Sequence, residues 1–501
     1  MALPPGRSAR YLNRQGADRG TQAGRYAAQP VFPNECFGMD DTSRTKTKAF
    51  VVAGTHSGVG KTTVTLALLR AAHRRGLACQ PFKIGPDFID AAYHEEAAGR
   101  PSINLDLWMM GAETVKGSFA RYSVSVDIAI IEAMGALYDG ENGTERGSAA
   151  HLSKLLNVPI ILVIDIWGMT RSAIPLLNGF LSFDRDLTFA GFVMNRAGSA
   201  RHAAMVEEAL PEALRRLSLG YILRRNELEI PERHLGLVTV QENPQVAEAR
   251  RAALDSAGAG LRIDGLLPQP RSGEAVTSRR HSVADRTKRA RIAIARDSAF
   301  AFYYHENLAL LEDAGAELVP FSPTSDPSLP PDVVGLYIGG GFPESFSIQL
   351  SANSTLINQI RELAAEEMPI YAECGGFMYL GRSLTTAMQP VASMVGVFGI
   401  DAIMDPEHLV IRYVSIRTLL DSPLGPAGTV ARGQEFHQSR IIGTRAGRAI
   451  YHVTATSGEQ YQEGELAGCA LGSYVHLHFS SNPRLCHSFV ERCAAWRGSR
   501  I

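Results

Sequence analysis

AFVVAGTHSGVGKTTVTLALLRAAHRR, residues 49–75, decides the fold. A short β-branched run leads through a glycine-containing turn into a helical stretch. That order aims consecutive backbone N–H groups and the positive helix end at one point, an arrangement that holds phosphate. Gly58 and Gly60 let the backbone come close, and Lys61 is placed to neutralise β- and γ-phosphate charge. The hydroxyl of Thr62 suits a Mg²⁺ shell, and Thr63 completes the GKTT ending. ATP and Mg²⁺ are therefore the expected ligands. The strict GxxxxGK[ST] spacing fails by one place, since Thr55 stands five before Gly60 and the glycine is Gly54.

Outward from the loop, VDIAIIEA at 126–133, VPIILVIDI at 158–166 and LTFAGFVMN at 187–195 are continuous apolar strands separated by helical stretches. Strands buried on both faces mean a parallel sheet covered by helices. Residues 268–290 (PQPRSGEAVTSRRHSVADRTKRA) are polar, basic and aperiodic, as a linker is. A second alternation begins with RIAIARD at 291–297 and continues through GLYIGGG at 335–341 and PIYAEC at 369–374. The fold class is α/β, with two doubly wound domains. The expected boundaries are 48–267 and 291–495, with 1–47 a disordered tail or over-extended start upstream of Met39.

The chain of 501 residues exceeds one hydrophobic core. Its net charge of -1, from 50 basic and 51 acidic residues, leaves no electrostatic footprint for nucleic acid or an anionic membrane. Six cysteines without CxxC pairs point to a reducing cytoplasm. No run approaches the roughly 18 apolar residues that span a bilayer.

Acidic residues recur where strands end, the ligand-binding edge of an open α/β sheet. FKIGPDFID at 82–90 offers Lys83, Asp87 and Asp90, and IIEAMGALYDG at 130–140 offers Glu132 and Asp139. Hard oxygen ligands suit Mg²⁺; acids beside turns also serve as solvated caps. Glu132 stands out because it closes a wholly apolar strand. Asn195 and Arg196, at another strand end, either read the adenine or shape a turn.

The second domain carries the sharper chemistry. After the strand PIYA, Cys374 is followed at once by Gly375 and Gly376, a tight elbow that lifts a thiol above the sheet edge. A helix start favours thiolate, so the thiol pKa is expected to be lowered. Gly339, Gly340 and Gly341 in YIGGGFPE form a second turn; the amides of Gly340, Gly341 and Gly375 are the oxyanion donors expected. The base comes from SYVHLHF at 473–479, where His476 and His478 share one strand face, so periodicity alone does not choose between them. Chain order and motif position favour His476. No acidic third member is identifiable.

FKIGPDFID, NLDLWM at 104–109, LYDG, MNRAGSARH at 194–202, PERHLGL at 231–237, GGGFPE, YAECGGFMYLG and SYVHLHFSSNP together resemble the cobyrinic acid a,c-diamide synthases, across roughly 48–490. The resemblance implies a dethiobiotin-synthetase-like P-loop domain joined to a class I glutamine amidotransferase domain of flavodoxin-like form. It also implies amidation of the a and c side-chain carboxylates of a corrinoid. Lining up YVHL with the YLHG of the related cobyric acid synthases again selects His476. The segment at 130–140 departs from the pattern by Ala133 and an inserted Ala136, which bears on the register of Asp139.

The expected mechanism has Cys374 attack the glutamine amide, His476 shuttle the proton, and ammonia meet an acyl phosphate formed with ATP. Gly58, Gly60, Lys61, Thr62, Thr63 and Asn195 are expected on the nucleotide. Thr62, Asp87 and Glu132 are expected on the metal; Lys83, Asp90 and Asp139 are expected near substrate or the transferring phosphoryl group. L-Glutamine and a corrinoid polycarboxylate are the expected partners, and a homodimer the assembly considered. Hydrogenobyrinic acid and nickel-sirohydrochlorin are alternative acceptors. A nucleotide switch with a non-catalytic amidotransferase-like module is the rival class, and Cys374 with its base speaks against it.

Overall fold

Seven strands build the N-terminal sheet: β1 (Lys48–Gly54), β2 (Cys79–Ile84), β3 (Ile103–Leu105), β4 (Ile128–Glu132), β5 (Ile160–Asp165), β6 (Phe189–Ala197) and β7 (Ser218–Leu223). Their order is β3-β2-β4-β1-β5-β6-β7, parallel throughout. The computed structural model describes residues 47–229, 244–268, 289–386, 390–443 and 449–498. The expected tail and linker, and PERHLGL at 231–237, therefore fall outside the described residues, save Thr47, Pro268, Arg289 and Ala290.

The apolar runs form this sheet because their alternate residues feed two cores. Phe50, Val52, Ile128 and Ile130 enter one, while Val51, Ala53, Ala129 and Ile131 enter the other. Every residue of β2, β3 and β4 is buried, as a sheet covered on both faces requires.

The C-terminal lobe starts with β8 (Ala290–Ala295), β9 (Ala316–Phe321), β10 (Gly335–Ile338) and β11 (Ile370–Glu373). Next come β12 (Ser383–Thr385), β13 (Ala392–Ser393), β14 (Asp401–Met404), β15 (Val410–Thr418), β16 (Val430–His437) and β17 (Ser439–Ile442). The last are β18 (Ala449–Ala455), β19 (Gln460–Ala467), β20 (Ala470–Ser473) and β21 (Val475–Leu477). Ten of these strands make one sheet, ordered β21-β16-β15-β18-β19-β20-β11-β10-β8-β9, and β13-β12-β14-β17 make a small second one. The half from β20 to β9 is parallel, as expected of a doubly wound lobe. From β20 to β21 every pairing is antiparallel, an extension the sequence reading did not anticipate. It curls back to put β21 beside the elbow of the parallel half.

The seam between the lobes is packed, not merely touching. Phe302, Tyr304 and Phe342 of the second lobe belong to the same core as Phe88 of the first. The Phe88 ring lies 5.2 Å from Phe302, 4.6 Å from Tyr304 and 5.1 Å from His476. Polar ties frame it: Tyr413 Oη donates to Asp106 (2.6 Å), Arg432 to Trp108 O (2.8 Å) and Gln434 Nε2 to Pro86 O (2.7 Å). Among the described residues no helix is long and apolar enough to cross a membrane.

Candidate active site

The turn after β1 opens into the helix Lys61–Arg74, with Gly60 in a left-handed conformation (φ 92°) as its cap. Any side chain there is excluded twice, by that φ and by Asn195, whose Nδ2 lies 2.0 Å from where a β-carbon would stand. Asn195 Nδ2 donates to Val59 O at 2.8 Å, so its amide shapes the turn. It still lines a cavity of about 830 Å³ together with Gly58, Gly60, Thr62, Thr63 and Trp167. Arg196 reaches back to Asp165 (2.8 Å). Trp167, 55% exposed and overlain by the Arg224 guanidinium at 4.6 Å, offers a flat apolar wall that the sequence reading missed. Lys61 is buried with no ion-pair partner among the described residues, and burial followed by the nearby Lys83 lowers its pKa.

Next to this turn lies a closed polar cluster. Thr62 Oγ1 donates to Glu132 Oε1 (2.7 Å) and sits 3.4 Å from Asp90 Oδ1. Lys83 Nζ bridges Asp90 (2.6 Å) and Glu132 (3.0 Å). His94 Nε2 meets the second Glu132 oxygen at 2.6 Å, while its Nδ1 lies 3.2 Å from Ser102 Oγ. The parallel pairing of β2 with β4 sets Lys83 beside Glu132. The helix Ile89–Ala98 supplies Asp90 and His94 from one face, four residues apart. Burial alone would lower the Lys83 ammonium and raise Glu132; Asp90 and Glu132 hold the ammonium up, and Lys83 with His94 holds Glu132 well below the usual carboxylate range. His94 was also missed, because a histidine at helical spacing in YHEEAAG carries no motif.

Two of the expected acids are elsewhere. Asp87 caps the helix: its Oδ1 accepts the amides of Ile89 (2.8 Å) and Asp90 (2.9 Å), which is the capping alternative. Asp139 is exposed and outside the cluster, past a turn in which its amide faces Ala136 O at 3.4 Å. Among the described residues no three His, Cys, Asp or Glu side chains form a metal pocket. The oxygen donors that do converge, Thr62, Asp90 and Glu132, fit a Mg²⁺ ion that also takes phosphate oxygens and water.

In the C-terminal lobe, Cys374 sits between β11 and the short helix Gly375–Leu380 at φ 48°, ψ −103°. Such backbone strain, about 1–3 kcal/mol, is characteristic of functional turns. The expected lowering of its thiol does not occur. Burial pushes the Cys374 thiol up, the Glu344 carboxylate adds to that, and the Gly375 amide opposes them too weakly. Sγ donates to Phe436 O at 3.6 Å.

The two histidines part company. His476 pairs with Gln434 across β21 and β16, and its Cε1 lies 2.3 Å from where a β-carbon on Gly340 would stand. His478 falls just beyond β21 and packs on Tyr304, ring centroids 4.7 Å apart. The histidine against the glycine turn is therefore His476. Burial, then His437, pulls its pKa to about 3, and neither ring nitrogen has a hydrogen-bond partner among the described residues. Thiol and imidazole are both neutral and not yet hydrogen-bonded to each other. Of the expected oxyanion donors, Gly340 is engaged, its amide bonding Phe302 O at 3.2 Å. Gly341 N remains, 3.1 Å from where a β-carbon on Gly375 would stand, while the Gly375 amide hydrogen-bonds the Cys374 thiol.

Between the two centres lies a cavity of about 540 Å³, lined by Asp87, Phe88, Asp90, Phe302, Gln434 and Phe436. Exposed Met134 and Ile411 extend its apolar wall.

Comparison with known proteins agrees with both halves. Residues 50–238 match the CobQ/CobB/MinD/ParA nucleotide binding domain and 291–484 the CobB/CobQ-like glutamine amidotransferase domain. A cobyrinate a,c-diamide synthase of Caldanaerobacter subterraneus subsp. tengcongensis is 36% identical over 449 residues, covering 90% of this chain and 99% of the relative. The enzyme of that name from Syntrophotalea carbinolica is 40% identical over 451 residues, 88% of this chain and 98% of its own. One from Leptospira interrogans is 38% identical over 452 residues, 89% and 99%.

Proposed function

Given that this chain belongs to the cobyrinate a,c-diamide synthases, we propose that it uses ATP and glutamine to amidate the a and c side-chain carboxylates of cobyrinic acid in cobalamin biosynthesis. The observation that carries this reading is the segment Pro86–Asp90, because neighbouring residues of it serve both centres. Asp90 stands in the cluster with Lys83 and Thr62, and Phe88 packs on His476.

The thiol centre works by acyl transfer. Cys374 Sγ attacks the glutamine side-chain amide while His476 takes the thiol proton and gives it to the leaving nitrogen, so ammonia departs and a thioester remains. Water then cleaves the thioester to glutamate. The amides of Gly341 and Gly375 are the donors available to the tetrahedral oxyanion. Substrate binding must bring Sγ and the imidazole together, as catalytic hydrogen bonds often close only in the complex.

The other centre activates the acceptor. A carboxylate has no competent leaving group, so its oxygen attacks the γ-phosphorus of ATP, ADP leaves, and ammonia displaces phosphate from the acyl phosphate. Backbone amides of the Gly58–Gly60 turn and the Lys61 ammonium hold the phosphates. Thr62, Asp90 and Glu132 would hold Mg²⁺, which neutralises phosphate charge when bound. Lys83 balances the two carboxylates and lies beside the transferring group. The apolar cleft with Asp87 and Asp90 at its edge would take the reacting rim of the macrocycle.

Mass spectrometry tests this directly. With cobyrinic acid, ATP and glutamine, two successive exchanges of OH for NH₂ are expected, against slower or no turnover of hydrogenobyrinic acid and nickel-sirohydrochlorin. Cys374→Ser should abolish glutamine-driven but not ammonium-driven amidation; Lys61→Ala should abolish both and leave glutamine hydrolysis. Retained glutaminase in Cys374→Ser would reject the thiol assignment.

A further inference from the structure

The base of the thiol site lacks the partner that usually orients an imidazole. No carboxylate reaches either nitrogen of His476 among the described residues. Its strand is also poorly anchored: β21 is three residues long, stands at the sheet edge and pairs only with β16. The main chain of Leu477 is instead fixed by side chains. Asn307 Nδ2 donates to Leu477 O (2.7 Å), and Leu477 N donates to Glu373 Oε1 (3.0 Å).

Glu373 is the residue immediately before the nucleophile, and it is 1% exposed. Its other bonds come from Tyr371 Oη (2.6 Å) and Tyr337 Oη (2.9 Å), both core tyrosines. So the side chain of the residue peptide-bonded to Cys374 holds the residue next to His476. We propose that Glu373 is a positioning residue of the glutaminase site, setting the distance between thiol and base through the Leu477 main chain instead of through the imidazole ring.

This rests on reading Cys374 and His476 as the catalytic pair, and the test separates the two claims. Glu373→Gln keeps the reach and an oxygen that accepts from Leu477 N; Glu373→Asp keeps the carboxylate but draws it back by one methylene. Positioning therefore predicts Gln within about threefold of the parent glutaminase kcat, and Asp reduced by about tenfold or more with KM for glutamine little changed. Ammonium-driven amidation should be the same in parent and both variants, which also reports that each is folded. Equal glutaminase in the two variants, the reverse ranking, or a parallel loss of the ammonium-driven reaction would each overturn the proposal. Failure of the pair itself shows up separately, as glutaminase surviving Cys374→Ser.

Discussion

A β-carbon at position 340 would stand 2.3 Å from His476 Cε1, closer than two such atoms can approach. Gly340→Ala should push the imidazole away from the thiol and lower glutaminase kcat by about tenfold to a hundredfold, while ammonium-driven amidation stays intact. Parallel assays of glutamate release and corrinoid amidation read the two separately. His478, two residues past the base, allows a second residue-level expectation. Burial drops its pKa from 6.5 to about 3, and its ring nitrogens have no partners among the described residues. The unfolded chain then binds a proton that the folded chain refuses, so stability falls as pH drops below 6.5 and keeps falling toward 3. Each such histidine adds a slope of up to about 1.4 kcal/mol per pH unit. His478→Asn should flatten the loss of stability between neutral and acidic buffer, measured by urea unfolding; identical slopes would mean that the ring is protonated in the folded chain.

At the scale of elements, β2 and β4 bring Lys83 and Glu132 side by side with Asp90 completing the triad. All three are buried; burial raises the Asp90 carboxyl, while the Lys83 ammonium, with His94, keeps Glu132 ionised. Lys83→Met should cost about 3–5 kcal/mol in urea unfolding without nucleotide, because it leaves two buried acids facing each other. The elements that were legible in the sequence are those buried on both faces. Runs such as IAIIE and IILVID announce themselves through continuous apolarity, and the glycines of GTHSGVGKTT and AECGG mark the two turns. The antiparallel extension was not legible: β15 mixes exposed, half-buried and buried positions, so it has no such run. Single buried polar residues were also hard to see. Yet Glu373 closes the buried strand IYAE as Glu132 closes IAIIE, an acid at the end of an apolar run in both. Gln434 and Asn104 offered no comparable cue, since their roles, holding Pro86 O and Gly85 O, depend on distant backbone.

Taken whole, the described residues from Thr47 onward form one compact unit, and the core that fills one side of the N-terminal sheet runs on into Phe302, Tyr304 and Phe342. Lobes that share a core lose it together. A single calorimetric transition is expected, with calorimetric and van't Hoff enthalpies in agreement, instead of two separated by domain. Polar contacts across the seam, the ion pair of Arg121 with Asp313 (3.1 Å) and the contact of His305 with Glu95 (3.2 Å), are partly exposed and contribute little beside that shared burial.

The aromatic seam has a consequence for nitrogen economy. Ammonia is a nucleophile only while it keeps its lone pair, and bulk water turns it into ammonium. Phe88, Phe302 and Tyr304 pack on one another between the centre that releases ammonia and the one that consumes it, and Phe88 and Phe302 give the cavity there an apolar wall. Phe88→Ala should therefore leave each half-reaction running and raise the glutamine hydrolysed per amide formed above one, a leak visible in the ratio of glutamate to product.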